Sequence, residues 1–162
     1  TGVERVRSVI RKDIPNDVII KTINLCRKYK IKTQTCFILG HPTETLDEMK
    51  KTIKFARNIG TNYPSFGKML PIPGSELFEL AIKEGNIKQD IWDDYMKGIS
   101  LCPIYTPSGV KPEAVNQLFH YAWLSVYLWP RNIWINRDLF LSKKFLKQNL
   151  SLFIEFALKR DY

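Results

Sequence analysis

Phe37-Ile38-Leu39-Gly40-His41-Pro42-Thr43-Glu44-Thr45 is the stretch on which the fold turns. It reads as the end of a buried strand, a tight turn and the start of a helix. Residues 31–39 are rich in β-branched and apolar side chains, with Thr33, Thr35, Phe37 and Leu39 on one face and Gln34, Cys36 and Ile38 on the other. Neither face carries a charge beyond the first turn of the run, which predicts a parallel strand covered on both sides. Thr45-Leu46-Asp47-Glu48 has the form of a capping box, and Leu46, Met49, Ile53 and Ala56 then recur at helical spacing up to Gly60, a natural helix stop. A strand–loop–helix unit places its loop at the C-terminal edge of a sheet, where α/β folds bind ligands.

Outward from this unit the pattern repeats. Upstream, a helix is expected over residues 2–12, opened by the capping box Thr1-Gly2-Val3-Glu4. A second follows from an N-cap at Asn16 to about Tyr29, with Ile19, Ile23, Cys26 and Tyr29 inward. Downstream, residues 63–70 read as a second strand, with Pro64 near its beginning. Pro73-Gly74 presets a type II turn, Ser75 caps a helix carrying Leu77, Leu80 and Ala81, and Gly85 stops it. The order α-α-β-α-β-α has the rhythm of parallel β/α units. Residues 86–109 look irregular, Pro112 opens a long helix with Val115, Leu118, Phe119, Ala122, Trp123, Val126 and Tyr127 in its stripe, and Trp129-Pro130-Arg131 ends it. We expect two parts, 1–86 with the β/α units and 87–162 with an irregular segment and a helical extension.

The chain has 162 residues, 44% of them hydrophobic, enough for a proper core. It opens at Thr1 inside a motif, which suggests a piece of something longer. Its net charge of +9 is uneven: residues 1–60 hold 13 Lys/Arg against 6 Asp/Glu, 61–130 hold 5 against 7, and 131–162 hold 7 against 3. Because the lysines interleave with apolar positions and form no arm, solvated helix faces are favoured over nucleic-acid binding. Cys26, Cys36 and Cys102 match no disulfide or metal-ligand spacing and point to reduced thiols in a cytoplasmic chain. No charge-free apolar run reaches the ~18 residues needed to span a bilayer.

Three segments in order resemble the second half of a radical S-adenosylmethionine (SAM) enzyme core, of the group that often carries a cobalamin-binding domain. Thr1-Gly2-Val3-Glu4-Arg5-Val6 resembles the stretch after that family's fourth strand. The 37–45 segment resembles its fifth strand and loop, and Pro71-Ile72-Pro73-Gly74-Ser75-Glu76-Leu77-Phe78 the segment after its sixth. The likeness covers nearly the whole chain. It implies a partial (βα)₆ barrel, of which this chain would supply the last two strands. It also implies SAM and a [4Fe-4S] cluster in the complete enzyme, cobalamin in some members, and cleavage of SAM to a 5′-deoxyadenosyl radical.

The family's Cys-x₃-Cys-x₂-Cys loop is absent, and the three cysteines are too far apart to replace it. The chain by itself would therefore be inactive, with the N-terminal half of the barrel as its missing partner and a small molecule as substrate. The resemblance assigns the cofactor cradle to Ile38, Gly40, Met69, Leu70 and Pro71 and no metal to this chain. His41 is expected to be a plain turn residue, and Glu44 and Glu48 to serve the helix start. Where relatives have glycine this chain has Asp13 and Lys30, each at a predicted left-handed position. Two other functions compete. One is a non-enzymatic module whose basic, aromatic C-terminal segment (Trp134, Phe140, Phe145, Phe153, Phe156 among Arg137, Lys143, Lys144, Lys147, Lys159 and Arg160) lies on a membrane surface or a partner protein. The other, tRNA modification, lacks a recognisable RNA module.

Overall fold

The computed structural model describes residues 1–12, 14–135 and 137. The chain is α/β, with a two-stranded parallel sheet and helices in the order α1 (Glu4–Val9), α2 (Asn16–Lys28), β1 (Gln34–Leu39), α3 (Leu46–Ile59), β2 (Tyr63–Lys68), α4 (Glu76–Lys83), α5 (Ile91–Met96), α6 (Pro112–Tyr127) and α7 (Pro130–Ile135). β1 and β2 pair in register from Gln34 opposite Tyr63 to Leu39 opposite Lys68. The connection runs through α3, as a parallel pair requires.

The buried face of the sheet is aromatic. Phe37 stacks on its strand partner Phe66 with ring centroids 5.6 Å apart, and Phe55 of α3 meets Phe37 edge-on at 6.2 Å. Trp123 of α6 meets Phe66 at 5.9 Å and stacks on Tyr127 at 5.5 Å. Edge-to-face and offset pairs of this kind are each worth about 0.5–1.5 kcal/mol beyond the area they bury. Met49, Ile53, Ala56 and Ile59 of α3 and Val115, Ala122 and Val126 of α6 complete this core. The Tyr127 hydroxyl donates to the Pro64 carbonyl at 2.8 Å, so the proline near the start of β2 still contributes an acceptor.

Among the described residues nothing packs on the opposite face. Gln34, Cys36 and Ile38 are exposed, while Phe37 and Leu39 are buried. The expectation of a strand covered on two sides is thus corrected: α3 and α6 pack on one side only.

Local signals in the middle of the chain match the structure closely. Thr45 and Glu48 form both halves of the capping box, and Gly60 ends α3 at φ 70°. Ser75 accepts from the Phe78 amide at 3.2 Å, and Gly74 takes φ 82° in the turn before it. At the N-terminus, by contrast, tertiary contacts displace the expected caps. The Thr1 hydroxyl bonds to Thr52 of α3 at 3.1 Å, and the Gly2 amide donates to the same oxygen at 3.1 Å, leaving Val3 to cap α1 without a side-chain bond. A side chain at Gly2 would meet Phe55 Cβ at 2.6 Å, so only glycine fits there. Asn16 is the first residue of α2 rather than its cap; its side chain donates to the Gly2 carbonyl at 2.8 Å and accepts from Arg7. Tyr29, expected inward, is 65% exposed, because α2 contributes Ile23 to the core and ends one residue before it.

α5 lies within the segment expected to be irregular. It has no side-chain cap, and the Trp92 indole anchors it by donating to the Pro71 carbonyl at 2.6 Å. α7 begins directly at Pro130. Asp13 and most of the basic, aromatic C-terminal segment (Phe140, Phe145, Phe153, Phe156 and their lysines) lie outside the described residues. Among the described residues no helix is long and apolar enough to cross a membrane.

The left-handed residue closing α1 is Arg11 at φ 53°, and Lys30 stands at φ 58° just after α2. A non-glycine residue there costs about 1 kcal/mol. Lys30→Gly should therefore raise stability by up to about 1 kcal/mol, less the backbone entropy glycine adds to the unfolded chain. Urea denaturation of the two proteins measures this, and a midpoint that fell would contradict the assigned backbone conformation.

Candidate functional site

Both strands end at the same edge, and three loops meet there. The 40–45 loop leaves β1, the 69–75 loop leaves β2, and residues 103–107 pass alongside. The Met69 amide donates to the Leu39 carbonyl at 3.2 Å, and the Tyr105 amide donates to the Met69 carbonyl at 2.9 Å. Gly40 turns the chain at φ 87°, a left-handed conformation that favours glycine. A Cβ there would sit 3.5 Å from the Tyr105 carbonyl and 3.8 Å from Pro107, ordinary contact distances, so backbone conformation rather than crowding demands the glycine.

Glu44 organises the loop. It is 1% exposed, and its Oε2 accepts from the Gly40 amide at 2.9 Å and the His41 amide at 3.0 Å. Its Oε1 is buried without a hydrogen-bond partner, and burial pushes its pKa up against the pull of those two amides. Glu44 therefore belongs to the loop and not to the helix start expected for it, which Thr45 and Glu48 complete between themselves. Two backbone amides left by a tight turn, with a carboxylate four residues on, is a signal a sequence can carry.

His41 is 4% exposed, and its Nδ1 is buried without a partner. Burial lowers its pKa to about 4, so it is neutral near pH 7. It is thus a core residue of the loop rather than the plain turn residue expected. Thr43 stands at φ 64°, held there by Arg5, which donates to its carbonyl at 2.8 Å and its hydroxyl at 3.1 Å. The same guanidinium pairs with Glu48 at 2.6 Å, and its hydrogen bond holds that carboxyl down at about 2. Opposite this loop, Tyr105 is fully buried and donates to Glu84 at 2.8 Å, with burial and that bond raising its pKa. No local pattern announces the Tyr105–Glu84 pair, since 21 residues separate its members.

The five residues assigned to a cofactor cradle fall at or beside this edge. Ile38 and Leu70 are each 39% exposed, Met69 is half-buried, and Pro71 is buried beneath its bond to Trp92. Ile38 lies opposite Gly67, where a side chain would meet only Ile38 Cγ1, at 4.0 Å. Beside them on the open face, Cys36 Sγ and Ser65 Oγ are 3.1 Å apart. The Gly40 and Met69 amides and the Met69 carbonyl already have protein partners. The side chains that these positions offer a ligand are apolar. Cys26, Cys36 and Cys102 are free thiols, and among the described residues no three His, Cys, Asp or Glu side chains converge to hold a metal ion.

No family model matches the chain. Over 127 residues, 78% of this chain, it is 29% identical to a protein of Pyrococcus horikoshii named an uncharacterized methyltransferase. The matched part is 27% of that protein, so the chain spans about a quarter of its relative's length.

The buried histidine makes a pH prediction. A folded pKa of about 4 against the ordinary 6.5 means that the unfolded chain binds more protons between those values. The stability His41 confers is therefore complete above pH 6.5 and is lost as pH falls through that window. Unfolding free energies of wild type and His41→Gln should converge on acidification, by up to about 1.4 kcal/mol per pH unit. A difference independent of pH would show that His41 is not buried in its neutral form. A second prediction concerns Glu44: Glu44→Ala strands the Gly40 and His41 amides and should cost about 1–3 kcal/mol. Thermal melts measure it, and an unchanged midpoint would remove Glu44 from its organising role.

Proposed function

We propose that this chain is the closing part of a radical SAM barrel, and that the opening strands and the iron–sulfur site belong to the rest of a longer protein. The observation that carries the reading is a parallel βαβ unit with one face packed, the other bare, and the resembling motifs at the ends of its two strands. Two further facts support it. The relative at 29% identity is named a methyltransferase, and this chain matches only 27% of it.

The residues at the strand ends fit part of a SAM cradle. Ile38 and Leu70 offer exposed apolar surface, and Gly67 keeps the sheet beside Ile38 clear, a shelf suited to a flat purine. Gly40 and Met69 would shape that shelf through their backbone, and Pro71 would hold the second loop against α5 through Trp92. SAM, when bound, supplies the transferable methyl or the adenosyl chemistry. Glu44 would keep the Gly40 turn rigid beneath it, and buried His41 would keep a charge away from it at neutral pH. The three cysteines do not fit an iron–sulfur cluster, so no step through a cluster is assigned to this chain, nor is any residue assigned to cobalamin. The N-terminal half of the barrel is the partner this reading requires, and the outer edge of β1, unpaired among the described residues, is where it would join. The substrate would be a small molecule.

A second reading, methyl transfer from SAM without any cluster, is favoured by the relative's name. Measurements on the complete protein separate the two. The first reading expects a Cys-x₃-Cys-x₂-Cys segment upstream, with iron and acid-labile sulfide in anaerobically purified protein; SAM binding without either would leave the second. In both, Ile38→Ser should weaken SAM binding about tenfold, the worth of one lost apolar contact. Unchanged affinity in equilibrium dialysis would move the cofactor away from these strand ends.

A further inference from the structure

On the packed side of the sheet, α3 and α6 leave a cleft of about 370 Å³ between them. Lys50, Lys54 and Arg57 line it from α3, at i, i+4 and i+7, so all three cations share one helix face. Ile53 and Leu118 supply apolar surface, and Tyr121 of α6, 52% exposed, supplies an aromatic wall. Among the described residues no carboxylate lines the cleft. Lys50 meets Asp47 at 3.1 Å through an exposed pair of the kind worth little in water.

Arg57 carries the case further. Its guanidinium lies 4.1 Å over the Trp129 ring, and its Nε is buried with no hydrogen-bond partner. Three like charges within two helical turns repel one another, and a buried donor without an acceptor costs about 1–3 kcal/mol. A phosphate placed among the three cations relieves their repulsion, because it brings opposite charge and several acceptor oxygens together. The geometry points to a binding site for a small organic phosphate, with its anionic group on Lys50, Lys54 and Arg57 and its apolar or aromatic part against Leu118 and Tyr121. The volume is near the lower end of the roughly 300–1,000 Å³ usual for ligand pockets, which limits the ligand to the size of a single ring and its phosphate. That phosphate is either free in solution or the headgroup of an anionic lipid.

Titration of the full chain with phenyl phosphate and with inorganic phosphate, followed by amide NMR shifts, tests the site. Saturable shifts confined to residues 50–57 and 118–121 are expected, with phenyl phosphate binding about tenfold tighter than inorganic phosphate because of its ring. Lys50→Gln with Lys54→Gln changes only exposed side chains and should weaken binding by tenfold or more, roughly the worth of a lost charge-assisted contact. Co-sedimentation with phosphatidylcholine vesicles containing phosphatidic acid, but not with phosphatidylcholine alone, and lost in the double variant, assigns the site to a lipid headgroup. Phenyl phosphate binding without such co-sedimentation assigns it to a soluble ligand. Failure to bind either probe, or binding undiminished in the double variant, overturns the proposal. None of these outcomes bears on SAM at the strand ends.

Discussion

The stacking of Phe37 on Phe66 is the contact from which the rest of the structure follows. It joins two strands separated in sequence by a whole helix and fixes their register face to face. On it rest Phe55 from α3 and Trp123 from α6, so the helices that cover the sheet are located by the same pair. A one-residue slip of either strand would turn its buried side chains to the open face, which is why the aromatic pair specifies register strongly. Once register is set, Leu39 and Met69 meet, and both strands deliver their loops to one edge.

That edge is held by the buried side chains of Glu44 and Tyr105 and by the exposed guanidinium of Arg5. Glu44 draws in the amides of Gly40 and His41, Arg5 holds Thr43 in a left-handed conformation, and Tyr105 ties the passing segment to Glu84. These side chains come from α1, two loops and the end of α4, so the edge is rigid only when all of them are docked. The open face beneath differs in kind. Gln34, Cys36, Ile38 and Gly67 leave it small, neutral and uncovered, beside a β1 edge without a strand partner among the described residues. The chain thus presents three different surfaces: a loop edge, a bare face beside it, and on the far side a basic cleft between α3 and α6.

The order and type of the main elements, both strands and the caps of α3 and α4 are legible in the amino-acid sequence because each depends on neighbours a few residues away. Thr45 and Glu48 satisfy each other's amides within one turn, Gly60 and Gly74 take positive φ where a side chain is strained, and Phe37 and Leu39 fall on one face of the strand at its two-residue period. Lys30 does stand in the left-handed region, as its resemblance to a glycine position in relatives implies. Where tertiary structure prevails, the competing partner is distant: Thr1 abandons its own helix for Thr52, Asn16 turns back to Gly2, and Trp92 anchors α5 through Pro71.

The sequence by itself determined the α/β class, the parallel rhythm and the candidate edge at residues 38–45 and 69–75, because hydrophobic period and turn chemistry are short-range properties. Tertiary structure alone decided which face of the sheet stays bare, that His41 and Glu44 are buried, and that Lys50, Lys54 and Arg57 meet Tyr121 across a cleft. Burial and convergence depend on which elements pack against which, and that is settled by contacts between residues far apart in the chain.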